Sequence, residues 1–358
     1  MPPLARAQQF VDWLGIRVPI LLAPMAGACP PSLSIAVSEA GGLGACGALM
    51  MRPEEIFAWT NEFRSKSEGH FQLNLWIPDP PPVRNPEVER LQREFLANWG
   101  PPVAPEAAET PLHDFHAQCE AVLASAPKAV SSIMGLYERT FVSELKRRRI
   151  LWFATVTTVE EARAAESAGA DAVVAQGSEA GGHRGAFHAD EAEQRSVGLC
   201  ALLPQVVEAV NIPVIATGGI ADATGIAAAL LLGASAVQIG TGFLRAPEAL
   251  TPASYADRLA RTEAQDTLVT RAFSGRPGRA IANSYVRAAM TGPTPAPYPI
   301  QRAFTAAMRE EAKKSGNAER MQMWAGQSAK LARSEPAREI VRHLWDGSRR
   351  LLTEAGNI

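Results

Sequence analysis

Short, largely apolar runs recur eight times in the first 250 residues of this chain, and a helix-forming stretch follows almost every one. The runs fall at 19–25, 43–48, 71–76, 129–134, 150–156, 172–175, 213–217 and 234–239. Such alternation predicts a parallel sheet, because each helix carries the chain back across the sheet to start the next strand in the same direction. Eight units within about 250 residues predict an α/β fold of the closed (β/α)8 TIM-barrel type rather than an open doubly wound sheet. From Thr251 the alternation stops. Helical segments then dominate, broken by Phe273-Ser274-Gly275-Arg276-Pro277-Gly278-Arg279 and by a proline-rich run at 291–299. The expected organisation is a barrel at 1–250 and a helical region at 251–358 packed on it.

Local signals support the helices. Pro53 stands at a first helical position, where its missing N–H costs little. Thr158 with Glu161 makes a capping box, and Asp222 caps the alanine-rich segment after the seventh strand. The run Lys146 to Arg149 suits a helix C-terminus and needs no nucleic acid to explain it. One stretch departs from the alternation. Residues 77–111 hold nine prolines around a single helix-forming segment and follow the third strand, so they are expected to rise from the catalytic face and partly cover the site.

Composition excludes several classes. The net charge of −2 gives no field for nucleic acid. The four cysteines, Cys29, Cys46, Cys119 and Cys200, are far apart and suggest neither a zinc site nor a disulfide framework. The N-terminal stretch has no signal-peptide core, and no apolar run is long enough to cross a bilayer. A cytoplasmic protein with no membrane partner is expected.

The sixth strand ends in the glycine-rich loop Gly177 to Gly185, which carries a single imidazole, His183. Glycines let a backbone approach a ligand closely, and an imidazole at the carboxyl end of a barrel strand is the place for a catalytic base. Glu179 in the same loop reads as a backbone-orienting residue. Gly218-Gly219 and Gly240-Thr241 follow strands seven and eight, the usual phosphate position in such a barrel. Neither a G-x-x-x-x-G-K-[ST] loop nor a G-x-G-x-x-G fingerprint is present, so the phosphorylated ligand is neither a nucleoside triphosphate nor a Rossmann-bound dinucleotide. Asn74, Gln176 and Gln238 place side-chain amides at three strand ends, and amides can address both donors and acceptors of a flavin ring. His113 and His116 flank Asp114 without a third ligand, and no metal is expected.

Ala23-Pro24-Met25-Ala26-Gly27, the segment QGSEAGGHRG from Gln176, QIGTGFLRAPEA from Gln238 and AFSGRPGRAIAN from Ala272 resemble the nitronate monooxygenases, FMN-dependent barrel enzymes. The chain is most similar to the bacterial and fungal class I members. The resemblance implies FMN as cofactor, with Pro24 and Met25 beside the isoalloxazine and Ala23 among the cofactor-binding residues. It implies that Asn74, Gln176 and Gly181 hydrogen-bond the flavin. Gly218, Gly219, Gln238, Ile239, Gly240 and Thr241 would take the phosphate and its tail, and Gly326 and Gln327 would approach from the C-terminal region. Tyr298 is implied as a substrate-pocket residue, with Phe304 and Arg309 as nearby candidates. The implied activity is oxidation of an alkyl nitronate by oxygen to a carbonyl compound and nitrite, without external reductant. Propionate 3-nitronate is the implied substrate, detoxification the role, and a monomer or homodimer the assembly. The EAGGH core is shared with flavin-dependent enoyl-acyl-carrier-protein reductases, so NADH-dependent reduction of an enoyl thioester or quinone is the alternative. A third reading is a flavin- or phosphate-binding barrel without catalysis.

Overall fold

The computed structural model describes residues 1–355. Eight strands form one parallel sheet: β1 (Ile20–Leu22), β2 (Gly44–Gly47), β3 (Phe71–Trp76), β4 (Ala129–Ile133), β5 (Leu151–Val156), β6 (Ala172–Gln176), β7 (Val214–Thr217) and β8 (Ala236–Ile239). Each pairs with the next in sequence from β2 to β8, and β8 pairs with β1 through Leu21 opposite Gln238. Leu43, just before β2, closes the ring: its N–H donates to Ile20 O at 3.1 Å and its carbonyl accepts from Leu22 N at 2.9 Å. The eight-stranded barrel expected from the alternation is therefore the observed architecture.

Strand side chains alternate between two apolar cores, as the period of two requires. Outward residues such as Leu22, Val173, Ala216 and Val237 meet the surrounding helices. Inward residues at the amino ends of the strands, Leu21, Ala129, Phe153, Ala172, Ile215 and Ala236, meet Phe10, Val11 and Leu14. Those three lie on a helix, Pro3–Leu14, that plugs the bottom of the barrel. The alternation gives no hint of this helix, which precedes the first strand.

After β8 the chain makes only two 3-10 turns, Thr241–Phe243 and Pro247–Ala249. The outer helix belonging to this unit comes last in the chain: Ala337–Ala355 packs on helices Ala223–Leu231 and Pro31–Glu39. Residues 251–336 thus form an excursion over the barrel mouth. Two of its strands, Thr267–Thr270 and Gly278–Ile281, form a three-stranded antiparallel sheet with Gly182–His183 of the loop after β6, in which Gly278 lies opposite His183. The proline-rich insertion does not cover the site as expected. Leu96, Phe95, Trp99 and Val103 pack against Phe273, Tyr285, Ile300 and Phe304, bracing the excursion from outside. Its aromatic and leucine side chains find more apolar surface there than over a polar cavity.

Candidate active site

A cavity of about 700 Å³ opens at the carboxyl ends of the strands. Its floor comes from the barrel: Asn74 and Trp76 of β3, Thr155 of β5, Gln176 of β6, Thr217 of β7 and Gln238 of β8. Its roof comes from the excursion: Ser274, Arg302, Arg309, Trp324 and Gly326.

The roof and floor are stitched by backbone. Gly326 N donates to Thr241 Oγ1 at 3.0 Å, and Gln327 N donates to Glu179 O at 2.9 Å. A Cβ on Gly181 would stand 2.4 Å from Gly326 N, so only glycine permits the two segments to touch. Gly218 and Gly219 have φ of +114° and +71°, a conformation that L side chains rarely adopt. Among the described residues, the N–H groups of Gly218, Gly219, Gly240 and Thr241 have no protein acceptor. Four free donors at adjacent strand ends are the donor set that an anion such as a phosphate requires.

The three amides divide their work. Asn74 Nδ2 donates to Ser131 Oγ at 3.0 Å and to Ser131 O, which leaves Oδ1 to the cavity. Gln238 Oε1 accepts from Gln72 Nε2 at 3.1 Å, which leaves Nε2 free. Gln176 spends both ends on the loop: Nε2 donates to His183 O at 3.1 Å and Oε1 accepts from Gly185 N at 2.8 Å. It shapes the histidine loop from below. Arg184, fully buried, holds the same loop through the carbonyls of Gly177 and Gln176. Glu179 is structural, its carboxylate accepting from Leu199 N at 2.9 and 3.0 Å.

His183 lies between Trp76 and Trp324, with ring centroids 4.6 and 4.7 Å away, and its Nε2 is 2.7 Å from Ser274 Oγ. Burial pulls its pKa down to about 3, assisted by the positive charges of Arg276, Arg302 and Arg309. The imidazole is therefore neutral throughout the working pH range, in a cationic surround. Arg276 is itself matched by Asp79, whose carboxylate oxygens lie 2.9 and 3.0 Å from its Nη1.

Of the residues singled out from sequence, Ala23, Pro24, Met25, Asn74, Gln176, Gly181 and His183 line this one cavity. Gly218, Gly219, Gln238, Gly240, Thr241 and Gly326 line it too. Three stand back from it. The Ile239 side chain belongs to the outer core. Gln327 contributes its backbone bond to Glu179, and Tyr298 packs on Trp76 with ring centroids 5.7 Å apart, so the wall there is Trp76. Phe304 is buried behind the roof, whereas Arg309 lines it. Sequence reasoning missed Trp76, Ser274, Arg302 and Trp324. Trp76 was readable, because it is two residues beyond Asn74 and shares its face of β3. The other three come from loops and helices whose phase the strand pattern does not set.

A closed barrel whose carboxyl-end cavity gathers unpaired backbone N–H groups, free amides and a histidine has the form of a barrel enzyme's ligand site. The model of the nitronate monooxygenase family matches residues 8–347, and the chain belongs to that family. A probable nitronate monooxygenase of Staphylococcus saprophyticus is 36% identical over 341 residues, covering 92% of this chain and 94% of that protein. The structure of nitroalkane oxidase from Streptomyces ansochromogenes is similar with a TM-score of 0.88 at 36% identity, over 97% of this chain and 99% of that one. FabK from Thermotoga maritima is similar with a TM-score of 0.74 at 29% identity, over 98% and 99%. No helix among the described residues is long and apolar enough to cross a membrane.

Proposed function

We propose that this chain oxidises alkyl nitronates with molecular oxygen, giving a carbonyl compound and nitrite, and that FMN is its cofactor. The residues present fit that group. The free N–H groups of Gly218, Gly219, Gly240 and Thr241 would hold the phosphate. Asn74 Oδ1 and Gln238 Nε2 would meet the polar edge of the ring, and Pro24 and Met25 would flank it. When bound, FMN supplies the electron-transfer chemistry that lets a nitronate react with oxygen.

The observation that carries the reading is His183, held between Trp76 and Trp324 on the wall of a cavity that Arg302 and Arg309 also line. A general base works best with a pKa near the operating pH, and a value of about 3 lies far below it. The site suits a substrate that arrives already deprotonated. A nitronate is such an anion: it needs orientation by the imidazole and attraction by the cations, but no proton abstraction. Trp76 and Trp324 flank the histidine on two sides. Propionate 3-nitronate is the proposed substrate and detoxification in the cytoplasm the proposed role, the enzyme acting as a monomer or homodimer.

The test is oxygen uptake and nitrite release by the purified, FMN-loaded protein with propionate 3-nitronate and no NADH. Uptake matched by nitrite supports the reading. Absence of both, with rapid anaerobic bleaching of the flavin by NADH, transfers the chain to reductase chemistry.

A further inference from the structure

The roof helices Ile300–Phe304 and Ala306–Ser315 join through Thr305 at φ −84° and ψ −3°. Arg302, Ala306, Arg309, Glu310 and Lys313 all line the cavity. Their spacing of four, seven, eight and eleven residues is that of one helical face. The small side chain of Ala306 leaves room between the two arginines.

These arginines are unlike Arg276, which has Asp79. Arg309 donates only to neutral oxygens: from Nε to Thr305 Oγ1 at 3.1 Å, from Nη1 to Gln322 Oε1 at 3.1 Å, and from Nη2 to Arg302 O at 3.0 Å. The last bond ties it to the backbone of Arg302. Among the described residues, the one hydrogen-bond partner of the Arg302 guanidinium is the sulfur of Met50, a weak acceptor. Glu310, on the same face, sits 3.3 Å from Lys314. Burial lowers both pKa values, that of Arg309 to about 10, where the charge of Arg302 adds to the effect and Tyr285 and Glu310 partly oppose it. Two partly desolvated like charges, neither hydrogen-bonded to a carboxylate among the described residues, are stabilised when an anion completes them. The charges of both reach His183, so that anion shares the substrate chamber rather than the phosphate seat.

We propose that Arg302, steadied by Arg309, binds a second negative group on the substrate, a carboxylate carried beyond the nitronate carbon, and thereby selects acidic nitronates over simple alkyl ones. This rests on the nitronate reading above and assigns its charge selectivity to a particular side chain. A guanidinium suits the task because its planar fork meets a carboxylate bidentately, which an ammonium does not.

The test compares kcat/KM for propionate 3-nitronate and propyl-1-nitronate in the wild-type holoenzyme, Arg302→Gln and Arg302→Lys. In Arg302→Gln the acid-to-alkyl ratio should fall about 10- to 100-fold, through KM, as expected when a charge-assisted hydrogen bond is lost. Arg302→Lys should fall between. Succinate, which mimics the shape and both charges of propionate 3-nitronate, provides a readout without turnover. Its perturbation of the flavin absorbance should weaken in Arg302→Gln by a similar factor relative to butyrate. Equal losses on both nitronates, or no change in either ratio, overturn the assignment. A wild-type enzyme inert to both nitronates refutes the activity instead, and the succinate-to-butyrate comparison still decides whether Arg302 reads the second charge.

Discussion

Burial beside three arginines separates the folded His183 from an ordinary imidazole, and two measurable consequences follow at this residue. The first concerns stability. The unfolded histidine takes its proton near 6.5, whereas the folded one does so only near 3. Between those values the unfolded chain binds more protons, so the stability His183 contributes is full above 6.5 and is lost as pH falls towards 3. His183→Asn should flatten this part of the acid limb in urea titrations taken from pH 7 to pH 4; an unchanged limb would show that the imidazole titrates freely. The second consequence concerns the substrate. His183→Asn should keep the flavin bound and, because an imidazole with a pKa of about 3 is a poor general base, should lower activity on a neutral nitroalkane no more than on the preformed nitronate. One nitro compound assayed in both forms before equilibration makes the comparison, and a loss of about 10²-fold or more confined to the neutral form would show that His183 does abstract the proton. Gly181 is constrained more simply. Alanine there would place Cβ 2.4 Å from Gly326 N and 2.6 Å from Ala325 C, both backbone atoms that cannot rotate away. Gly181→Ala should therefore part the loop from the roof, break the Gly326–Thr241 bond, cost about 1–3 kcal/mol and release FMN on gel filtration.

At the scale of elements, the bottom helix Pro3–Leu14 bears on the barrel much as a stopper does. Leu14 is fully buried against the inward strand residues. Leu14→Ala should cost about 2–5 kcal/mol, read from urea midpoints at unchanged m-value. A cost below 1 kcal/mol would mean that the barrel closes without the plug. This helix also marks where the sequence became hard to read. Its apolar positions Leu4, Ala7, Phe10, Val11 and Leu14 follow helical spacing, but a helix before the first strand is not part of the strand–helix repeat. The eight strands were legible because buried parallel strands write themselves as short apolar runs. The glycine loops at their ends were legible for the same reason, since a strand end fixes where the next residues stand. The roof was not. Arg302 and Trp324 reach the cavity through tertiary packing of the excursion on Phe273, Tyr285 and Phe304, and no local period records that packing. The insertion misled for a related reason: its prolines announce a departure from the barrel without saying which surface it packs on.

For the molecule as a whole, the order of elements in the chain differs from their order in space. The last helix, Ala337–Ala355, occupies the outer position beside Ala223–Leu231 and Pro31–Glu39 that its own strand, β8, leaves open. Everything between, including the roof of the active site, is held between two parts of the barrel. Folding of the roof and closure of the helical ring should thereby be one event rather than two. The magnitudes bear this out. Ile340, Val341, Leu344 and Leu352 of the last helix are all buried. At about 1.5–3 kcal/mol for each fully buried aliphatic side chain, the four together are worth roughly 6–12 kcal/mol. A domain has only about 5–15 kcal/mol of net stability, so losing this helix removes most or all of it. A chain ending after Glu335 should therefore not persist as an open-roofed barrel. It should be recovered as aggregate or as a species with weak near-ultraviolet circular dichroism and no cooperative urea transition. In the full chain, far-ultraviolet circular dichroism and release of bound flavin should follow one coincident transition. A soluble truncated chain that unfolds cooperatively within about 2 kcal/mol of the full one would show instead that the barrel stands without its last helix. Two separated transitions in the intact protein would show that the roof folds on its own.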